Sequence, residues 1–131
     1  MRVMVDANVV ISAMVFKSSR MAEVLRKASE KHELCIASYT IEEVKHVLKD
    51  KFTSASADID KFFENYSYTL IATPADNGEA LVEIRDPKDY PVIHAAITNQ
   101  IDVLVTGDRD FFELEIRRPA IVTPAEFMAK Y

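Results

Sequence analysis

The feature that most constrains the fold of this chain is a regular alternation of short apolar runs with longer amphipathic stretches. The apolar runs have the length expected of buried strands, and the stretches between them repeat apolar residues at helical spacing. The runs lie at residues 2–6, 34–37, 68–73, 102–106 and 120–123. Strands that alternate with helices in this way predict a mainly parallel sheet with helices covering both faces.

The clearest amphipathic stretch follows Ser18 and Ser19, where Met21, Val24 and Leu25 lie on one helical face and charged residues lie on the other. The other predicted helices are residues 8–15, a stretch opened by Ser38 and Thr40, a stretch from Ser56 to Tyr66, residues 92–100, and a terminal stretch that begins at Pro124. Residues 79–85 fit a helix and a strand equally well, whereas residues 76–78 and 86–91 predict a turn and a loop.

The chain has 131 residues and contains no repeat, low-complexity tract or long linker, which predicts a single domain over residues 1–131. Its 49% hydrophobic content is enough for one core without disulfides. The single cysteine, Cys35, cannot form a disulfide within the chain, and we expect it in the core of a protein from a reducing, cytoplasmic compartment. No apolar run approaches the roughly 20 residues that a membrane span needs, so we expect no membrane association.

The net charge of −5 argues weakly against a general nucleic-acid binder, because such proteins usually carry a basic surface. If four carboxylates surrounded a bound cation, however, the remaining charges would nearly balance. One basic cluster, formed by Lys17, Arg20, Arg26 and Lys27, is typical of a solvated helix face, and contact with RNA is its alternative role. The overall charge therefore leaves a nucleic-acid substrate open.

Four carboxylates occupy equivalent places in the predicted pattern of strands and helices. Asp6 ends the first strand, and Asp108 lies one glycine beyond the strand that ends at Thr106. Glu43 lies in the first turn of the helix after the second strand, and Asp89 lies just before the helix that leads into the 102–106 strand. Since the ends of parallel strands share one edge of a sheet, we expect these acids at a common site. Asp89 joins that edge only if its helix also begins there.

Each acid also has a purely structural interpretation. Asp6, Asp108 and Asp89 fit the N-cap position of the helix that follows each of them. Glu43 fits a capping box with Thr40, and Asp110 fits a solvated position. These structural roles are compatible with function, because a capping aspartate can still present an oxygen to a metal.

The joint pattern favours a metal site. Carboxylates that converge without nearby cations repel one another, and this repulsion raises their pKa values. A hard divalent cation relieves the repulsion, and Mg²⁺ or Mn²⁺ prefers oxygen ligands. Such a cation can polarise a phosphoryl oxygen and activate water. Metal-assisted hydrolysis of a phosphodiester is therefore the reaction class that these residues suit best.

Other chemistries find less support in the sequence. The three histidines, His32, His46 and His94, lack the spacing of a zinc site. No nucleophile elbow, P-loop or dinucleotide-binding motif is present, and two glycines are too few for a phosphate-cradling loop.

The segments that carry these acids resemble PIN domains. The resemblance rests on residues 6–12, 38–43, 85–89 and 105–110, and it is strongest to the VapC-like branch, whose members are toxin components of toxin–antitoxin systems. Residues 121–127 are similar to that branch as well, so the resemblance covers essentially the whole chain in the right order. No single motif is specific, whereas the ordered set is.

The resemblance implies a three-layer α/β/α sandwich with about five strands and a Mg²⁺- or Mn²⁺-dependent endoribonuclease. Its substrate would be tRNA, mRNA or rRNA, and its partners a second copy of the chain and a cognate antitoxin protein. The implied catalytic and metal-binding residues are Asp6, Glu43, Asp89 and Asp108, with Asp110 as an auxiliary ligand and with Asn8 and Thr106 supporting the ligands from behind. Ala7 departs from the family, since many relatives carry threonine there.

Three residues around the turn after the first helix predict either core packing or an apolar surface for a dimer or an antitoxin, namely Met14, Phe16 and Met21.

Two alternative functions compete with the nuclease. A phosphoacceptor receiver domain or aspartyl phosphatase needs further acids near the first strand, but Ala7 and Asn8 stand there. A catalytically silent PIN-fold module that binds RNA or protein would retain the acids and bind Mg²⁺ without turnover. Cleavage of RNA in the presence of metal separates the enzyme from this module.

Overall fold

The structure of the protein, a computed structural model, describes residues 1–52, 59–74 and 89–131. The expectations for Ser56, for the turn at residues 76–78 and for residues 79–88 lie outside this part of the chain. The strands are β1 (Arg2–Val5), β2 (Glu33–Ala37), β3 (Thr69–Ile71), β4 (Val103–Val105) and β5 (Ala120–Val122). The helices are α1 (Ala7–Met14), α2 (Ser19–Lys31), α3 (Ser38–Lys51), α4 (Ile59–Phe63), α5 (Tyr90–Thr98), α6 (Arg109–Phe112) and α7 (Pro124–Lys130).

The five strands form one sheet in the order β3-β2-β1-β4-β5, and every neighbouring pair is parallel. The predicted parallel sheet is therefore confirmed. The chain first builds outward from β1 to β2 and β3, and then crosses to the other side of β1 to add β4 and β5. The strand order thus reverses between β1 and β4, and ligand sites in open α/β sheets form beyond the strands at such a point.

The side chains of β1 alternate between two separate cores, as the pleat of a strand requires. Val3 and Val5 pack with residues of α1, α2, α3, α4 and α7, whereas Met4 packs with residues of α5 and α6. All three side chains are fully buried, and burial of such a side chain stabilises a fold by about 1.5–3 kcal/mol. Helices on both faces confirm the three-layer α/β/α sandwich.

Most element types agree with the predictions, and the differences lie in short elements and helix ends. The predicted strand at 68–73 shrinks to β3, and α4 ends before Tyr66, whose backbone N–H donates to the carbonyl of Phe63 in a turn. Helix α6 was indicated only by the N-cap interpretation of Asp108, because four residues are too few to produce a periodic pattern. Cys35 is fully buried, which confirms its core position.

Lys27 corrects the interpretation of the basic cluster as a solvated face. Its Nζ donates to the backbone carbonyls of Phe127 and Met128 at 3.5 and 3.0 Å, and it lies 5.5 Å from the centre of the Phe127 ring. This ammonium therefore holds the last turn of α7 against α2, where it also complements the negative end of the helix dipole. Within the described residues, no helix is long and apolar enough to cross a membrane.

Candidate metal centre

The four predicted acids line one cavity of about 150 Å³ at the edge of the sheet where β1 and β4 end. Among the residues that the structure describes, those around this cavity are Asp6, Ala7, Asn8, Glu43, Asp89, Val92, Asp108 and Phe111, and none of them is basic. Because α5 runs back to the start of β4, its N-terminus lies at the same edge, and Asp89 reaches the cavity.

Asp6 is held in place by both of its carboxylate oxygens. Oδ1 accepts the backbone N–H of Val9 at 3.1 Å as the cap of α1, and Oδ2 accepts the hydroxyl of Thr106. The register of the sheet places Asp6 beside Thr106, since Val5 and Val105, the residues directly before them, pair in the ladder of β1 and β4. Burial raises the pKa of Asp6, hydrogen bonds from Thr106 and Val9 partly lower it, and the charge of Asp108 raises it again.

Asp108 is tied to Asp6 through Thr106. Its backbone N–H donates to the Thr106 hydroxyl at 3.0 Å, and its Oδ1 accepts the backbone N–H of Asp110 at 2.9 Å as the cap of α6. Thr106 itself is fully buried. Its hydroxyl donates to the Asp6 carboxylate and accepts the backbone N–H of Asp108. The N-cap predictions for Asp6 and Asp108 are confirmed, and both residues line the cavity at the same time.

Asp110, for which the sequence predicted a solvated position, lies close to two of the four acids. Carboxylate oxygens of Asp89, Asp108 and Asp110 all lie within 4.8 Å of one another, and all three residues are half-buried. Asp110 does not line the cavity itself, so it extends the acidic cluster beyond the lining residues. Asp89 occupies the N-cap position of α5, but its side chain makes no capping hydrogen bond, so the capping prediction was wrong for this residue.

Glu43 and Asn8 reach the cavity from α3 and α1. The predicted capping box of Glu43 with Thr40 is wrong, because α3 begins at Ser38 and places Thr40 inside the helix, where its side chain is fully buried. The half-buried Glu43 side chain is thereby directed to the cavity instead of to a cap. Asn8 is exposed and lines the cavity directly, whereas the sequence placed it behind the ligands.

Sequence reasoning missed the apolar wall of the cavity, which consists of Val92 and Phe111. Each residue lies three positions after an acid at the start of a helix, namely Asp89 and Asp108. A residue three positions along a helix lies on the same side as the first, and this spacing was the signal available in the sequence.

The chemistry of the cavity fits a divalent metal ion. The described polar side chains that line it offer carboxylate oxygens and one amide, and oxygen atoms are the ligands that Mg²⁺ and Mn²⁺ prefer. Two carboxylates less than 5 Å apart repel by between about 1 and about 3 kcal/mol, depending on solvent screening. Burial, and to a smaller extent the negative charge of Asp108, raise the pKa of Asp6. A divalent cation would offset both.

Comparison with known proteins identifies the family. The family model of the PIN domain matches residues 2–110, which is most of the chain. The chain belongs to the PIN domain family. No curated protein matches this PIN domain in sequence at a significant level.

Eleven chains of solved structures match the fold of this PIN domain. One of them belongs to a crystal structure of VapBC2 from Rickettsia felis bound to a DNA fragment from their promoter. The superposition has a TM-score of 0.70 at 16% sequence identity and covers 93% of this chain and 97% of that chain. At this identity the match supports the fold, which agrees with the five-stranded parallel sheet.

Proposed function

We propose that this PIN domain is a Mg²⁺- or Mn²⁺-dependent endoribonuclease and the toxin of a type II toxin–antitoxin pair. The observation that carries the proposal is the convergence of Asp6, Glu43, Asp89 and Asp108, each from a different part of the chain, on one cavity whose described lining residues include no basic side chain. Structural capping alone gives no reason for four acids to meet at the same point. An anionic phosphodiester enters such a cavity only if a cation offsets the carboxylates.

Asp6, Asp108 and Asp89 would hold the metal ion, and Asp110 would bind on its outer side. Bound there, the ion supplies Lewis acidity for a phosphoryl oxygen and lowers the pKa of coordinated water. Thr106 keeps Asp6 and Asp108 in fixed relative positions, which reduces the reorganisation that binding would otherwise require. We therefore include Thr106 in the proposed active site as the residue that positions Asp6 and Asp108.

Glu43 is the proposed acceptor of the proton from the attacking water. It comes from α3, on the opposite side of β1 from β4, and so approaches the cavity from a different direction than Asp108 does. Val92 and Phe111 form an apolar wall that limits the entry of bulk water. Fewer waters strengthen the electrostatic interactions inside the cavity.

The proposed partners are RNA, an antitoxin protein and a second copy of the chain. The structural likeness to a chain of the VapBC2 crystal structure supports the antitoxin. Phe16 supports a protein interface, since 66% of its surface is exposed in the turn after α1. Met14 and Met21 beside it are half-buried and pack against the core, so Phe16 carries most of this apolar surface.

The proposed compartment is the cytoplasm, in keeping with the lone buried cysteine.

The test combines purified protein with total RNA, with and without Mn²⁺, and maps the new 5′ ends. We expect cuts that depend on the metal and vanish with chelator. Protein prepared under denaturing conditions and refolded serves as the control for a co-purified inhibitor. Refolded protein that binds Mn²⁺ but leaves every RNA intact would contradict the enzyme and favour the silent binding module.

A further inference from the structure

Helix α3 begins without a capping side chain of its own. Ala37 occupies the N-cap position and offers no hydroxyl or carboxylate, and no side chain of the helix forms the missing cap. The first backbone N–H groups of a helix have no partner within the helix, and a helix of this kind therefore depends on groups from elsewhere. This matters for the cavity, because α3 carries Glu43.

Thr73, which follows β3, supplies the cap from a different segment of the chain. The backbone N–H of Tyr39 in the first turn of α3 donates to Thr73 Oγ1 at 3.0 Å. In return, the backbone N–H of Thr73 donates to Ser38 Oγ at 3.0 Å, and the two hydroxyl oxygens lie 3.0 Å apart. These three contacts form a reciprocal clamp across 35 residues of sequence.

The register of the sheet explains why Thr73 meets this helix. Ala37 pairs with Ile71 in the parallel ladder of β2 and β3. Two residues further along each chain, Tyr39 and Thr73 come to lie opposite each other, where the first chain has begun α3. The edge strand therefore fixes the start of the helix relative to the sheet.

We propose that Thr73 is a positioning residue of the active site, which sets the Glu43 side chain in the acidic cavity by capping α3. The role rests on the proposed nuclease function. Thr73 and Ser38 do not line the cavity, so neither touches the reacting atoms. Loss of the Thr73 hydroxyl leaves the first turn of α3 without its cap, and Glu43 lies in the next turn. A displacement of about 1 Å at a catalytic group can lower a rate by as much as about 100-fold.

The chain offers a matched control in Thr123. Its hydroxyl accepts the backbone N–H of Glu126 at 3.0 Å and caps α7, which carries none of the residues that line the cavity. Thr73→Val and Thr123→Val therefore each remove a hydroxyl that accepts a backbone N–H in the first turn of a helix. Only the helix that Thr73 caps, α3, carries Glu43. Thr73→Ser retains the hydroxyl and serves as the conservative variant.

The experiment measures three properties of the full chain and of each variant. These are kcat and KM for a mixed-sequence single-stranded RNA with Mn²⁺ well below the melting temperature, hydrogen exchange of the Tyr39 amide, and the rise in Tm caused by Mn²⁺. We expect Thr73→Val to lower kcat by at least about tenfold with little change in KM and to speed exchange at Tyr39. Thr73→Ser should stay within about twofold of the wild type in kcat. Thr123→Val should lower Tm without changing kcat.

The outcomes separate this inference from the proposed function. Equal kcat for Thr73→Val and Thr123→Val, with a wild type that cleaves RNA, would overturn the positioning role alone. Faster exchange at Tyr39 together with unchanged kcat would do the same, since the cap would then be only structural. A wild type that neither cleaves RNA nor gains Tm from Mn²⁺ would overturn the proposed function and, with it, any positioning of its residues.

Discussion

At the scale of single residues, Asp108 has a capping role and a proposed metal-binding role that one substitution can separate. Asp108→Asn keeps an oxygen to accept the Asp110 N–H but removes a negative charge from the cluster. We expect cleavage to be lost and the metal-free protein to be as stable as the wild type or more stable by about 1 kcal/mol, because carboxylate repulsion falls.

The measurement for Asp108→Asn is a set of thermal melts with chelator and with millimolar Mn²⁺. The wild type should gain Tm from the metal through binding to the native state, and the variant should gain much less. Asp102→Asn, at the opposite end of β4, is the control that keeps the full response to Mn²⁺. Equal metal-induced shifts for Asp108→Asn and the wild type would remove Asp108 from the site.

Asp6 predicts an unusual pH dependence of stability in the metal-free protein. Burial raises its pKa in the folded state above the ordinary value of 3.8, so the folded protein binds this proton more tightly than the unfolded chain. Stability from this group is therefore present at low pH and is lost as pH rises through the raised pKa. In urea denaturation with chelator, the wild type should lose stability relative to Asp6→Asn as pH rises above about 4, the ordinary pKa of an aspartate.

Asp102 provides a comparison of opposite sign. The backbone N–H of Arg2 donates to its carboxylate at 2.8 Å, Arg118 pairs with it at 2.7 Å, and the pKa of Asp102 falls below 3.8. Its contribution to stability is present above the ordinary pKa and is lost as pH falls through the lowered one.

The outcome that would contradict the desolvation of Asp6 is a difference in the free energy of unfolding between the wild type and Asp6→Asn that stays constant with pH.

At the scale of helices and strands, the sequence predicted those elements whose caps and apolar spacing lie within the segment itself. Helix α2 begins after Ser18, whose hydroxyl accepts the N–H of Met21 at 3.3 Å, as the pattern of caps and apolar spacing indicated. The predicted start of α3 at Ser38 is confirmed, but its cap was assigned to Thr40, because the true partner, Thr73, lies 34 residues away from Tyr39 and no local pattern contains it. Caps that depend on tertiary contacts cannot be found from the local spacing of residues.

The turn between α5 and β4 predicts a stabilising substitution. Gln100 has a φ of 56°, in the left-handed region where a side chain is strained and glycine is not. Gln100→Gly should raise the free energy of unfolding by about 0.5–1 kcal/mol, after the entropic cost of glycine in the unfolded chain. Urea denaturation measures the change.

The neighbouring residue supplies the control for this substitution. Asn99 has a φ of −99°, and its side-chain amide donates to the carbonyl of Ala95 at 2.9 Å. Asn99→Gly should therefore lower stability. If both variants were destabilised, the strain assigned to Gln100 would be absent.

At the scale of the whole molecule, the sequence predicted a parallel sheet but could not order its strands. The convergence of Asp6 and Asp108 follows only from the placement of β4 beside β1, which is a pairing between distant parts of the chain. The same placement brings Asp89 to the cavity, a point that the sequence left open. The acids were thus identified from local motifs, whereas their meeting required the tertiary structure.

The exposed Phe16 predicts how the proposed dimer responds to substitution. Its ring contacts Phe52 in the same chain at 5.6 Å between centroids, yet most of its surface remains available to a partner. Phe16→Asp should weaken self-association at least tenfold, by roughly the energy of an interface hot spot. Sedimentation at micromolar concentration measures the change. Leu70→Asp, which alters another exposed apolar residue, is the control, and an equal effect of both variants would argue against a specific surface.

The central position of β1 has a consequence for the synthesis of the protein. Thr106 and Asp108, which hold and complete the surroundings of Asp6, are synthesised about a hundred residues after it. A nascent chain that contains only β1, β2 and β3 therefore lacks Thr106 and Asp108, and its acidic cavity is incomplete. For the proposed nuclease, this order of strands keeps the acidic cavity incomplete until β4 and the residues after it have been synthesised.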